Sequence, residues 1–280
     1  MEILELINNG SMQLKNKKIY SHKLDSEILL SKVLNKTREE LLINLEQRVT
    51  TKNINRFHRL VSRRSSKEPI AYILKEKEFW SKSFLVNHNT LIPRPETELM
   101  VEKIVEIFKT KNIFILDIGT GTGCILLSIL SELKRSKGIG IDISQKAIKT
   151  AIENSKKHDL SRKTKFYNRS IEEIHNKKFD LIVSNPPYIK KKDLKNLNED
   201  IKKFEPKLAL DGGNDGLDVI KKVIYKSKDI LKIKGMLALE IGNEQFKKVS
   251  NILRSNKFKT KYLVKDYREN IRCILSILEK

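Results

Sequence analysis

Cysteine is nearly absent: the 280 residues hold two, Cys124 and Cys273. Each lies inside an apolar run, which reads as a small core residue in a reducing compartment, and two such residues cannot build a disulfide scaffold. No cysteine–histidine cluster has metal-ligand spacing and the five histidines are scattered, so no metal is expected. Long apolar runs are missing too; none approaches the ~20 residues that span a bilayer. The opening Met1-Glu2-Ile3-Leu4-Glu5 lacks the basic-then-apolar pattern of a signal peptide. These absences predict a cytoplasmic protein. Acidic residues are also few, 35 against 57 basic, which leaves a net charge of +22. Lysine supplies 44 of the 57 and is spread along the whole chain. That excess suits a polyanionic neighbour such as RNA or the ribosome, and it equally suits a compositional bias with no dedicated patch.

Glycine does not occur between Gly10 and Gly119. Residues 1–75 read accordingly as a small helical domain. Leu24, Ile28, Leu29, Val33 and Leu34 recur at helical spacing after a cap at Ser21. Further helices are expected at Arg38–Leu45 and Lys52–Ser65. The domain carries no catalytic constellation, so it reads as a substrate-docking or supporting unit. Residues 76–92 read as a β-hairpin linker, on the pattern Glu78 to Val86. Leu91-Ile92-Pro93-Arg94-Pro95-Glu96-Thr97-Glu98 follows. Two prolines stiffen it, and Glu96 or Thr97 begins a helix with Leu99, Val101, Ile104, Val105 and Phe108 on its apolar face. A rigid loop that presents Arg94 and Glu96 can border a site; it can also be a plain domain boundary.

Residues 93–280 form the remaining domain. Strands are expected at 113–118, 138–143, 164–168 and 179–184, with helices at 122–134 and 145–158. That alternation means βαβ units and a parallel sheet. After a polar segment at 189–216 come a helix at 218–233, a strand at Met236–Ile241 and a helix at 244–256. Two last strands, near 258–265 and 271–278, have no helix between them, which predicts an antiparallel pair closing a mixed sheet.

Two stretches carry chemistry. In the first, the strand ending at Asp117 runs into Gly119-Thr120-Gly121-Thr122-Gly123 and then a helix. Glycines allow positive φ and close approach of a ligand to the backbone. A dinucleotide fold wants G-x-G-x-x-G, and here Cys124 stands at the third glycine position. A nucleoside without a pyrophosphate fits better, with Asp142 at the end of the next strand placed to accept both ribose hydroxyls. In the second stretch, the strand Phe179–Ser184 is stopped by Asn185-Pro186-Pro187-Tyr188, since proline has no N–H for the ladder. Asn185 is then held rigid at the sheet's carboxyl edge. Its side-chain oxygen and the Pro186 carbonyl are two acceptors that can hold an N–H₂ group, with Tyr188 walling the pocket.

These features resemble the class I S-adenosyl-L-methionine-dependent methyltransferases: a Rossmann-like α/β fold with a mixed seven-stranded sheet and an antiparallel last strand. The resemblance implies that Asp117 and the loop Gly119, Thr120, Gly121, Thr122 and Gly123 face the methionine part of the cofactor, and Asp142 the ribose. Asn-Pro-Pro-Tyr is the motif of enzymes that methylate planar nitrogens, either base amino groups or a glutamine amide. Nearly the whole chain resembles one family, the release factor glutamine methyltransferases (PrmC/HemK). The resemblance covers Glu68 to Tyr72 with Glu78-Phe79-Trp80, the Pro93 to Glu98 loop, Asp117 to Gly123 and Ser184 to Tyr188. It continues through Phe204-Glu205-Pro206, Asp211-Gly212-Gly213, Asp215-Gly216-Leu217 and Asp266-Tyr267. It implies S-adenosyl-L-methionine as cofactor and, as substrate, the glutamine of the Gly-Gly-Gln tip of class I peptide chain release factors. It places Asn185, Pro186, Pro187 and Tyr188 at the reacting amide, Asn185 also beside the cofactor, and Arg94 and Glu96 on the substrate side. One departure stands out. Where the family often has an acidic residue and an aromatic after the third strand, this chain has Asn168-Arg169-Ser170, leaving a backbone amide or Ser170 as the adenine contact.

Two rival readings share these residues. A nucleic-acid methyltransferase acting on adenine or guanine amino groups would use the same tetrapeptide and the same positive charge. A non-catalytic ribosome- or RNA-binding protein could retain the fold, though the intact glycine loop, Asp142 and Asn185 speak against it.

Overall fold

The computed structural model describes residues 1–175 and 178–280, which separate into two compact units. One unit comprises residues 1–76 with 198–204. It holds α1 (Ile3–Asn16), α2 (His22–Leu34), α3 (Arg38–Ile43), α4 (Thr51–Ser65) and α5 (Ile70–Leu74). Ile3, Leu6, Leu14, Leu29, Leu30, Leu41, Phe57 and Val61 fill its core. The helical spacing locates α2 and, through Leu29 and Val33, part of its buried face. Leu24 is 43% exposed, while Leu30 is buried and Asp25 and Glu27 go inside with it. Buried carboxylates need partners, and they have them: Arg64 holds Asp25 and Arg38 holds Glu27, each at 2.6 Å. Ser21 sits at the N-cap position without a side-chain capping bond, whereas Thr37 caps α3 in a capping box with Glu40.

The second unit comprises residues 77–197 with 205–280. The hairpin β1 (Glu76–Phe79) and β2 (Lys82–Leu85) sends Phe79 and Phe84 into its core. Then follow α6 (Pro95–Phe108), β3 (Phe114–Ile118), α7 (Cys124–Glu132), β4 (Lys137–Asp142), α8 (Gln145–Lys157), β5 (Thr164–Asn168) and β6 (Phe179–Ser184). The segment 189–216 is more ordered than its polarity suggests. It contains two 3-10 turns and α9 (Glu199–Phe204), a helix that groups with the first unit. The chain ends with α10 (Asp218–Ile230), β7 (Leu231–Glu240), α11 (Phe246–Ser255), β8 (Phe258–Lys265) and β9 (Ile271–Leu278). In α6 it is Met100, with Val101, Ile104 and Phe108, that is buried, while Leu99 and Val105 are half-exposed.

The seven-stranded sheet runs β5-β4-β3-β6-β7-β9-β8. Strands β5, β4, β3, β6 and β7 pair in parallel, and β9 runs antiparallel to both its neighbours. Both faces are covered. Ile115, Leu181, Val183, Met236, Ala238 and Cys273 face a core with α6 and α7; Leu116, Ile182, Leu237, Leu239 and Ile274 face a second core with α10 and α11. Burial on both faces explains why these strands read as unbroken apolar runs. Among the described residues, no helix is long and apolar enough to cross a membrane.

Candidate active site

Register brings four strand ends together. Ile118 pairs with Ile141 on one side and Ser184 on the other, and Ser184 pairs with Leu239. The next residue of each strand is therefore Gly119, Asp142, Asn185 or Glu240, side by side along the carboxyl edge. Strand order reverses between β3 and β6, where open α/β sheets hold their ligands.

The glycine loop begins with Gly119 and Thr120 donating their N–H groups to the Ile141 carbonyl, at 2.9 and 3.0 Å. Gly119 and Gly121 have φ of +70° and +55°. A Cβ on Gly119 would meet nothing within 4 Å, and one on Gly121 only the Gly119 carbonyl at 3.9 Å. Both glycines thus answer to backbone geometry and border open space. Asp142 organises the loop from the side: its Oδ2 accepts from Gly121 N–H at 3.0 Å and its Oδ1 from Ser144 N–H at 2.8 Å. Burial raises the Asp142 pKa, and those two hydrogen bonds oppose the shift. Asp117 lies beneath the loop, fully buried, its Oδ2 accepting from the Thr120 hydroxyl at 2.6 Å. Burial pushes its carboxyl up to about 7, and among the described residues its Oδ1 is buried without a hydrogen-bond partner. Thr122 is buried, and its carbonyl accepts from Asn154 Nδ2.

Asn185 and Tyr188 are half-buried and Pro186 is buried. Asn185 Nδ2 donates to Thr97 Oγ1 at 3.3 Å, and the Thr97 hydroxyl donates to Glu240 Oε2 at 2.6 Å. Glu240 is 3% exposed. Burial pushes its carboxyl up to about 7, while hydrogen bonds from Thr97 and Asn185 and the charge of Arg272 favour the ionised form. The Tyr188 phenol is pushed up to about 12, first by burial and then by the Glu240 charge; Arg272 and Arg94 pull the other way and Glu96 adds to the rise.

The loop after β6 is clamped from behind. Gln245 donates to the Tyr188 and Gly216 carbonyls at 3.1 and 3.0 Å and accepts from Gly242 N–H at 2.9 Å. Gly216 has φ of +77°, and a Cβ there would sit 2.5 Å from the Tyr188 carbonyl oxygen. This is what the second glycine cluster does: it lets 212–216 pack onto the proline turn. Arg94 turns to Glu205, with Nη2 to Oε1 at 2.6 Å, and the other Glu205 oxygen accepts from Ile92 N–H. Glu96 is exposed on the first turn of α6. Ser170 is occupied locally: its hydroxyl pairs with the Glu172 carboxylate and also accepts from the Glu172 N–H. Asn168 Nδ2 and Arg169 N–H both donate to the Asp142 carbonyl. Ile143, next to Asp142, is 58% exposed, an apolar surface at the same edge.

Sequence reasoning names Asn185, Asp142 and the glycines but misses Glu240, Thr97 as a hydrogen-bonding partner, Gln245 and Asn154. Glu240 had a signal, since it ends an apolar strand with one carboxylate as Asp142 does. Gln245 and Asn154 had none.

A family model described as a methyltransferase domain matches residues 109–272, and one described as the PrmC N-terminal domain matches residues 5–74. The fold is that of methyltransferases. The hMettl16 catalytic domain, solved in complex with MAT2A 3'UTR hairpin 6, aligns with a TM-score of 0.58 at 16% identity, covering 79% of this chain and 82% of that one. Sequence relatives are more specific. The release factor glutamine methyltransferase of Buchnera aphidicola subsp. Acyrthosiphon pisum is 42% identical over 89% of this chain and 90% of its own length. The bifunctional methyltransferase of Rickettsia typhi is 34% identical over 97% of this chain, which spans 56% of that longer protein. The chain belongs to the release factor glutamine methyltransferase family.

Proposed function

We propose that this protein transfers a methyl group from S-adenosyl-L-methionine to the side-chain amide nitrogen of the Gly-Gly-Gln glutamine of class I peptide chain release factors, in the cytoplasm. The observation that carries the reading is the row Gly119, Asp142, Asn185 and Glu240, which sets an open glycine loop beside the Asn185 amide, whose oxygen accepts no hydrogen bond among the described residues. The residues fit the cofactor. The two open glycines and the orphaned Asp117 Oδ1 suit the methionine end, and Asp142 keeps lone pairs for two ribose hydroxyls. When bound, the cofactor supplies a methyl group on a positively charged sulfur.

The chain's own residues do the rest by positioning. An amide nitrogen is a poor nucleophile because its lone pair is delocalised into the carbonyl. Asn185 Oδ1 and the Pro186 carbonyl hold its two N–H bonds and so turn the lone pair toward the methyl group. Tyr188, kept neutral by burial, forms a wall beside the amide. The nitrogen sheds one proton to solvent as it gains the methyl, so no strong base is required. Orientation of this kind contributes on the order of 7–11 kcal/mol. Arg94, locked to Glu205, and Glu96 border the substrate entrance, and the helices of residues 1–75 serve as the docking region for the protein substrate.

A nucleobase amino group satisfies the same two acceptors, and the charge of +22 favours it. The test is a methyl-transfer assay with labelled cofactor, offering a release factor, its Gly-Gly-Ala variant, RNA and DNA side by side. Label on the release factor alone is expected; label on nucleic acid and not on the release factor overturns the reading.

A further inference from the structure

We infer that Thr97 and Glu240 are positioning residues that fix which way round the Asn185 amide sits, so that its oxygen, and not its nitrogen, meets the substrate N–H₂ group. The inference rests on Asn185 gripping the substrate amide, as proposed above.

An ionised carboxylate can only accept. Above about pH 7, where Glu240 is ionised, it is therefore an acceptor, and the Thr97 hydroxyl spends its single proton on Glu240 Oε2 at 2.6 Å. Thr97 Oγ1 then has only lone pairs left to offer Asn185. The Asn185 group that meets it must be the N–H₂, and the separation is 3.3 Å. A reversed amide would set Oδ1 against Oγ1, two acceptors with no proton between them. That unpaired contact next to a fully buried carboxylate costs about 1–3 kcal/mol. The direction of the amide thus follows from the charge at the end of the chain. Among the described residues, no side chain or backbone donor is bonded to Asn185 Oδ1, which leaves it as the acceptor the reaction needs.

Three structural facts suit Thr97 and Glu240 to this work. Thr97 is 2% exposed and lies in the first turn of α6, where the two prolines before it leave little freedom. Glu240 ends β7 in the strand position next to Asn185, through the pair Ser184 and Leu239. Neither oxygen has an obvious packing reason to be polar: Thr97 and Val have the same shape, and Glu240 sits among the ends of apolar strands. A buried carboxylate in that place destabilises the fold unless something else retains it.

The experiment compares kcat, the KM for release factor and cofactor affinity across Asn185→Ala, Thr97→Val, Thr97→Ser and Glu240→Gln, with thermal melting as a check on folding. Thr97→Val keeps the shape and removes the proton link, so kcat should fall roughly tenfold with cofactor affinity unchanged, while melting drops modestly because the buried Glu240 loses its donor. Thr97→Ser restores the link and should recover most of that loss. In Glu240→Gln the new N–H₂ can donate to Thr97 and reverse the chain, so kcat should fall while the fold, relieved of a buried charge, melts no lower. Unchanged kcat in both Thr97→Val and Glu240→Gln, with Asn185→Ala inactive, overturns this inference alone. An active Asn185→Ala overturns the proposed function beneath it. Should Thr97→Val fail to fold, the contrast between Thr97→Ser and Glu240→Gln decides: equal kcat in those two overturns the inference.

Discussion

Asp142 illustrates how much one carboxylate can organise. It holds the Gly121 and Ser144 N–H groups on separate oxygens, so it shapes the glycine loop while about two lone pairs remain for a ligand. Its replacement should therefore be felt in cofactor binding above all. Asp142→Ala should weaken S-adenosyl-L-methionine binding by roughly 10- to 150-fold, the worth of about 1.5–3 kcal/mol for a hydrogen bond to a charged group. Titration calorimetry measures it, and an unchanged affinity removes Asp142 from the ribose. At this scale the sequence was readable wherever a residue type has few uses. Asn before two prolines, a carboxylate closing an apolar strand and glycines in series each state a local requirement. Ser170 shows the converse. A serine after a strand can contact a ligand or cap a turn with equal ease, and here it caps the turn that begins at Ile171. Arg94 likewise pairs with Glu205, 111 residues away, which no local pattern announces.

At the scale of elements, α8 contributes more than packing. Asn154 on its inner face is fully buried and makes three hydrogen bonds: from Leu85 N–H to its Oδ1, and from its Nδ2 to the Leu85 and Thr122 carbonyls. It ties the hairpin and the glycine loop to a single helix. Asn154→Ala leaves buried backbone groups unpaired and should cost on the order of 3 kcal/mol of stability, read from chemical denaturation. A loss below about 0.5 kcal/mol, the size of an ordinary surface change, would mean the loop is held by other bonds. The strands of the sheet were legible because burial on both faces makes each one an apolar run. The expected helix at 218–233 runs past its observed end at Ile230, because β7 begins at Leu231 with a bulge that the lysine-rich Lys232-Ile233-Lys234 does not reveal. Asp180 pairs with Lys232 at 2.7 Å and holds that bulge against β6. The segment 189–216 was opaque for a related reason. Its order comes from Gln245 on the Gly216 carbonyl, from Glu205 held by Arg94 and Ile92, and from the bridge between Ile189 and Asp211, pairings that no local pattern announces.

The whole molecule carries the cost of its site as a dependence on pH. Asp117 and Glu240 both have folded-state pKa values pushed up to about 7 by burial, from ordinary values near 4. Between those limits the folded protein holds protons that the unfolded chain releases. Stability must then fall as pH rises from about 5 to 7 and level off above that. Asp266 acts in the opposite sense: burial works against its charge, but hydrogen bonds from Asn270, Arg272 and Arg268 hold it down to about 2. Its contribution is present above pH 4 and is lost toward pH 2. Denaturation at high ionic strength, which screens the charge of +22, should give a maximum near pH 5 and a drop on the order of 5 kcal/mol by pH 8. Glu240→Gln should flatten that drop, and a wild-type curve that rises from pH 5 to 8 would contradict it. At this scale the sequence is least transparent. Thr97 and Glu240 lie 143 residues apart, and only the register of the sheet makes them neighbours.

The central claim is that Asn185 holds the amide that receives the methyl group. It is tested most directly by assaying Asn185→Ala for methyl transfer to a release factor and, on the same preparation, for S-adenosyl-L-methionine binding. Transfer should drop by roughly 10²–10³-fold, the usual effect of removing one preorganised partner of a reacting group, with cofactor affinity within about twofold of the parent. Full transfer would contradict the account, and so would a loss of cofactor affinity large enough to explain the drop.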